Sequence, residues 1–201
     1  MKKDGSVWVA GGNKYGQLGV GSRDNSDNFI VAMPSGAADV AAGAYHSMVL
    51  KQDGSVWATG WNEHGQMRDG STTESIIYVQ VVLSGAKAVA AGNQHSIVLK
   101  KDGTVWCVGS NNHGQLGVGW TVSSDTFVRV NAEVKAIAAG SYTSMMLKQD
   151  GHMWVTGSNS HGQLGDVSTR RVQKLFIRIT PFHNGVQNCS TIPLCTYCSY
   201  D

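Results

Sequence analysis

The stretch SNNHGQLGVG, residues 110–119, sets three glycines within six residues beside a histidine. That composition suits a phosphate-cradling loop, whose backbone N–H groups close on an anion, or a catalytic turn in which an imidazole moves a proton. Two further histidines, His46 and His95, each precede a serine. Near the C-terminus His183, Cys189, Cys195 and Cys198 form H-x5-C-x5-C-x2-C, four side chains of the types that bind zinc.

The spacing decides against chemistry. The glycine string recurs as KYGQLG, EHGQMR, NHGQLG and SHGQLG, with first glycines Gly16, Gly65, Gly114 and Gly162, a period of 49, 49 and 48 residues. Asp-Gly pairs recur in step at Gly5, Gly54, Gly103 and Gly151, each followed by Trp8, Trp57, Trp106 or Trp154. Ala-Ala-Gly ends at Gly43, Gly92 and Gly140, ahead of AYHSMVLK, NQHSIVLK and SYTSMMLK. Catalysis needs one convergent set of groups, whereas a feature copied at fixed spacing marks a supersecondary unit being stacked. A P-loop also needs a Gly-Lys-Ser/Thr ending and a following helix, and neither is present.

The elements that carry these positions are short strands. In the best-defined period they are TFVRV (126–130), VKAIAAG (134–140), TSMMLK (143–148) and HMWVTG (152–157), rich in Val, Ile, Met and aromatics and bounded by Gly, Asn and Asp. Connections of two to four residues imply antiparallel hairpins in a meander, with the long N-x-H-G-Q-L-G connection placed between sets. No window holds an apolar period of 3.6, so the expectation is an all-β fold. Glycine, 25 of 201 residues, is in excess because of the turns. A repeated four-stranded meander of this length is the pattern of a propeller blade.

The string A-A-G-x-x-H-S-x-x-L-K-x-D-G-x-V-W-x-x-G-x-N-x-x-G-Q-L-G resembles the RCC1 (regulator of chromosome condensation) repeat from residue 1 to about 180. The resemblance implies a β-propeller, commonly of about seven blades. Grouping the strands predicts three complete blades, about 29–60, 76–109 and 126–157. Residues 1–10 then supply the last strand of a preceding blade and 172–180 the first strand of a following one. Such a propeller is an open arc with bare apolar faces, so the chain is expected to belong to a larger one, or to pair with its own copy or another propeller segment. Residues 181–201 lack the repeat and form a separate, poorly ordered cysteine-containing tail.

At the repeated positions the reading is structural. His46 and His95, with Thr143 next in the series, are expected to tie a strand to its neighbour by a side-chain bond to backbone. Gln17, Gln66, Gln115 and Gln163 are expected to satisfy loop backbone groups, and Gly16, Gly65, Gly114 and Gly162 to take backbone angles other residues avoid. His64, His113 and His161, with Tyr15 in the fourth copy, read as flat packing groups. Trp8, Trp57, Trp106 and Trp154 are expected to fill the space between blades, and Cys107 a small buried apolar position. One C-x2-C without a second pair is insufficient for zinc, so no metal, cofactor or catalytic residue is assigned.

A net charge of +2 gives no electrostatic case for nucleic acid or an anionic membrane as partner. The longest apolar run, IIYVQVVL (76–83), is far short of the roughly 20 residues of a membrane helix. The start, MKKDGSVWVAGG, does not read as a secretory signal, so an intracellular protein, cytoplasmic or nuclear, is expected. The variable polar loops 21–28, 68–75, 119–125 and 166–171 interrupt a regular scaffold, which points to a non-catalytic protein–protein interaction module. The resemblance alone implies an alternative, guanine-nucleotide exchange on a small Ran-like GTPase, as in the founding member of the family; no insertion resembling an exchange wedge is present. A propeller fragment of a larger signalling or ubiquitin-ligase protein is a further alternative. An enzyme would need a closed ring and a cluster of titratable groups, and neither is visible.

Overall fold

Asp-Gly makes tight turns here because glycine takes a positive φ at no steric cost, as Gly54 does at +82°, while Asp53 Oδ1 accepts from Ser55 N and Oγ at 2.8 and 2.6 Å. The computed structural model describes residues 1–67, 71–166 and 170–179, and its regular elements are all strands. In chain order they are β1 (Val7–Gly11), β2 (Ser26–Met33), β3 (Ala37–Ala42), β4 (His46–Lys51), β5 (Val56–Gly60), β6 (Ser75–Val82), β7 (Ala86–Ala91), β8 (His95–Lys100), β9 (Val105–Gly109), β10 (Ser124–Asn131), β11 (Val134–Ala139), β12 (Thr143–Lys148), β13 (Met153–Ser158) and β14 (Val172–Ile179).

These strands form four antiparallel sheets in series: β1–β2, β3–β6, β7–β10 and β11–β14. Strands β3 and β4 pack on β7, and β7 and β8 on β11, so the first strands of successive sheets stand side by side as the inner strands of propeller blades. Each joint is apolar. Met48, Leu50, Ala58 and Met67 meet Ala86, Val89 and Val98 at one, and Ile97, Leu99, Cys107 and Leu116 meet Val134 and Met146 at the next.

Three complete blades are present, but their boundaries differ from 29–60, 76–109 and 126–157 by one strand. The sheets span 37–82, 86–131 and 134–179. The reason is pairing: β5 runs in register with the strand beyond the long loop, Ala58 opposite Val79 and Gly60 opposite Ser75. The strands on either side of the long connection, β5 and β6, therefore belong to one sheet, and the three-residue link 83–85 crosses to the next blade. Accordingly β14 completes the fourth sheet instead of starting a further one, and β1–β2 are the outer strands of an incomplete first blade. The tail 181–201, with His183 and its three cysteines, lies outside the described residues.

Candidate interaction face

Each G-Q-L-G loop starts from a buried asparagine. Asn111 Oδ1 accepts from Leu116 N at 2.9 Å while its Nδ2 donates to the carbonyls of Trp120 and Val122, closing the loop on itself; Asn13 does the same with Leu18, Ser22 and Asp24. These asparagines recur with the period, and that recurrence is the sequence signal for their role. The glutamines act locally: Gln17, Gln66, Gln115 and Gln163 each accept, through Oε1, from the N–H two residues earlier, at 2.9–3.1 Å.

The loop then reaches the following blade. Gly16 has φ +75°, and a Cβ there would lie 2.6 Å from Ile76 Cα; Gly114 has φ +73°, with Gln173 O at the same 2.6 Å. Thr59 and Thr156 donate to the carbonyls of Gly16 and Gly114, both at 2.9 Å. Ser96 Oγ donates to Gln66 O at 2.8 Å and Ser144 Oγ to Gln115 O at 2.6 Å. Because each hydroxyl spends its one proton on that carbonyl, it accepts from the histidine of the preceding blade: His46 Nε2–H donates to Ser96 at 2.9 Å and His95 Nε2–H to Ser144 at 3.0 Å. Instead of joining two strands of one sheet through backbone, His46 and His95 join successive blades through a hydroxyl.

Both imidazoles are fully buried and Nδ1 of each has no partner. Burial lowers the His46 pKa to about 4; burial, then the neighbouring His46, lowers that of His95 to about 3. The two rings belong to different joints and are neutral near pH 7. Cys107 is likewise enclosed, and burial pushes its thiol pKa up. Among the described residues no three His, Cys, Asp or Glu side chains gather as metal ligands.

At the opposite end of the blades the tryptophans are half-buried. Trp8, Trp57 and Trp106 donate Nε1–H to Ser6, Ser55 and Thr104, the same hydroxyls that Asp4, Asp53 and Asp102 accept from. Those hydroxyl bonds hold the three aspartates below the usual carboxylate range. Lys2, Lys51, Lys100 and Lys148 lie over the four indoles, 3.6–5.2 Å from the ring centres. Trp154 packs against the apolar cluster of the last joint, and all four rings carry a cation. In the fourth sheet His152 takes the hydroxyl's place, turning toward Asp150 and Arg178, and Trp154 Nε1 is buried without an acceptor.

One group on the loop end departs from the repeat through Trp61. Tyr15, Tyr45, Trp61 and His64 come together with ring centres 5.1–6.2 Å apart, mostly edge to face. Tyr45 is 43% exposed. Trp61 stands where the next two repeats have Ser110 and Ser158, whose hydroxyls accept from Gln115 and Gln163 Nε2. With tryptophan there, Gln66 Nε2 is buried with no partner among the described residues. Comparing repeats position by position finds Tyr15 and Trp61 as departures in the sequence, but their meeting required the turn at Tyr45. His113 makes on Tyr142 the contact that Tyr15 makes on Tyr45, 4.6 Å between centres.

Two repeat models, both described as Regulator of chromosome condensation (RCC1) repeat, match this pattern, one over residues 37–66, 86–115 and 134–163 and the other over 4–50 and 102–147. The chain belongs to the RCC1 repeat family. Among solved structures the RCC1-type fold is similar to yeast RCC1 (Prp20) bound to Kap60, with TM-score 0.78 and 20% identity over 89% of this chain and 45% of that one. Prp20p from Saccharomyces cerevisiae, described with its binding to Gsp1p and histones, gives TM-score 0.76 and 20% identity over 90% and 48%. Human WBSCR16 gives TM-score 0.69 and 23% identity over 87% and 48%. The chain thus spans about half the length of these propellers. No curated protein sequence matches it. No helix among the described residues is long and apolar enough to cross a membrane.

Proposed function

We propose that this RCC1-repeat chain is a non-catalytic protein-binding scaffold whose contact surface is the loop end around Tyr15, Tyr45, Trp61 and His64. The observation that carries this reading is Trp61: it strands a buried amide that serine satisfies in the neighbouring repeats, and the ring contacts it gains in exchange lie in a cluster that is open to solvent at Tyr45 instead of in a joint between blades. Tyrosine and tryptophan are also the residues that most often anchor protein interfaces. Trp61→Ser tests it. The substitution removes the Trp61 ring contacts but gives Gln66 Nε2 an acceptor, so the chain stays folded by circular dichroism, while proteins enriched on the wild-type chain from cell extract fall at least about tenfold. An enriched set unchanged by both Trp61→Ser and Tyr45→Ala refutes the assignment.

A second reading, nucleotide exchange on a Ran-like GTPase, is supported by the likeness in fold to Prp20p. Nucleotide release measured at rising concentration of this chain tests it, and a flat rate removes it. The same surface serves equally if these blades are one portion of a larger signalling or ubiquitin-ligase protein.

A further inference from the structure

The joints between blades have a donor side and an acceptor side, and among the described residues one of each is uncovered. On the donor side, Gly162 and Gly165 of the fourth sheet's loop keep the positive φ of their counterparts, +73° and +64°, yet nothing described lies within 4 Å of the Cβ position of either. Their counterparts are covered: Gly114 meets Gln173 and Lys174, Gly19 lies against the Tyr78 ring, and Gly117 against the Phe176 ring. On the acceptor side, the residue equivalent to Tyr78 and Phe176 is Phe29 on β2, and it is 71% exposed. Asp27, beside it, is the counterpart of Asp125, on whose backbone Gly65 already packs within this chain.

We infer that two copies of this chain join head to tail, the loop carrying Gly162 and Gly165 of each copy seated on Asp27 and Phe29 of the other. The contact chemistry is the one the chain uses at its internal joints: a left-handed glycine against strand backbone, and a second glycine laid flat on an aromatic ring. The described residues of each chain form three complete blades and the outer half of a fourth, so two chains hold at most eight blade positions, within the range of about four to eight over which propellers form rings. The first sheet lacks inner strands, so no serine there takes up Gln163 O; each joint is an outer-half contact and the association is reversible and concentration-dependent.

Light scattering of the purified chain over a wide concentration range reads the result. The expected outcome is a mass that rises from one chain to two, and Phe29→Glu weakens that association at least about tenfold without changing the circular dichroism spectrum, since the ring is already exposed. To identify the surface, chains carrying Phe29→Cys are mixed with chains carrying Gly165→Cys, both with Cys189, Cys195 and Cys198 changed to serine. A disulfide-linked heterodimer supports the inference. A mass of one chain at every concentration overturns it, and so does a dimer that neither forms this crosslink nor responds to Phe29→Glu.

Discussion

Mild acid will loosen the joints between blades, by an amount set by His46 and His95. The ordinary histidine pKa is 6.5, and the folded values are about 4 and about 3, so the unfolded chain binds protons that the folded chain refuses. The stabilisation is whole above pH 6.5, declines as the pH falls below it, and is exhausted only once the folded pKa values are passed. Between about pH 7 and about pH 5 each site loses about 2 kcal/mol, about 4 kcal/mol for the pair, roughly a thousandfold in the folding equilibrium. The turn aspartates do not enter this window: Asp4, Asp53, Asp102 and Asp150 titrate below their ordinary 3.8 when folded, so their contribution is lost only in stronger acid. The assay is urea unfolding followed by tryptophan fluorescence at the two pH values, for the wild type and for His46→Thr with His95→Thr, the residue the chain itself carries at Thr143. The double variant removes both sites, so the difference between the two proteins isolates them. Equal losses in wild type and double variant would refute the assignment of neutral, buried imidazoles at the joints.

Gly114→Ala will cost more than about 2 kcal/mol, from left-handed backbone plus a Cβ 2.6 Å from Gln173 O, whereas Gly162→Ala, with the same φ and open space in the monomer, will cost only about 1 kcal/mol by thermal unfolding of dilute protein. Ser96→Ala leaves His46 Nε2–H and Gln66 O unpaired in a buried joint; calorimetry is expected to record a loss of about 2–4 kcal/mol. His152→Ser restores the acceptor that Trp154 Nε1 lacks and is expected to stabilise by about 1 kcal/mol in denaturant titration, with no gain if the indole is already satisfied.

Periodicity revealed the blades because each repeat must bury the same faces, and the recurrent Gly, Asn and Asp-Gly positions are demanded by backbone geometry that few other residues meet. The sheet boundaries were hidden for the same reason. In an antiparallel meander every consecutive pair of strands looks like a hairpin, and nothing in the letters of 61–74 or 83–85 says which one stays in its sheet. Only the register of Ala58 with Val79 decides it. His46 was recognisable as a buried polar group, but its partner lies 50 residues away on Ser96, a distance set by blade packing and not by local sequence. The aromatic cluster is legible only by subtraction, as what remains at Tyr15 and Trp61 once the repeat has been accounted for.

The His–Ser–carbonyl chains all point the same way, each blade being completed by the one synthesised after it. That direction lets the joints of a chain leaving the ribosome close in order of translation, each new four-strand unit locking its predecessor. Shortening such an array from the C-terminal side frees one loop and one imidazole position per blade removed and leaves the earlier joints intact. In an array built on this rule, blade number can change by duplication or loss at the growing end without redesign of what precedes it.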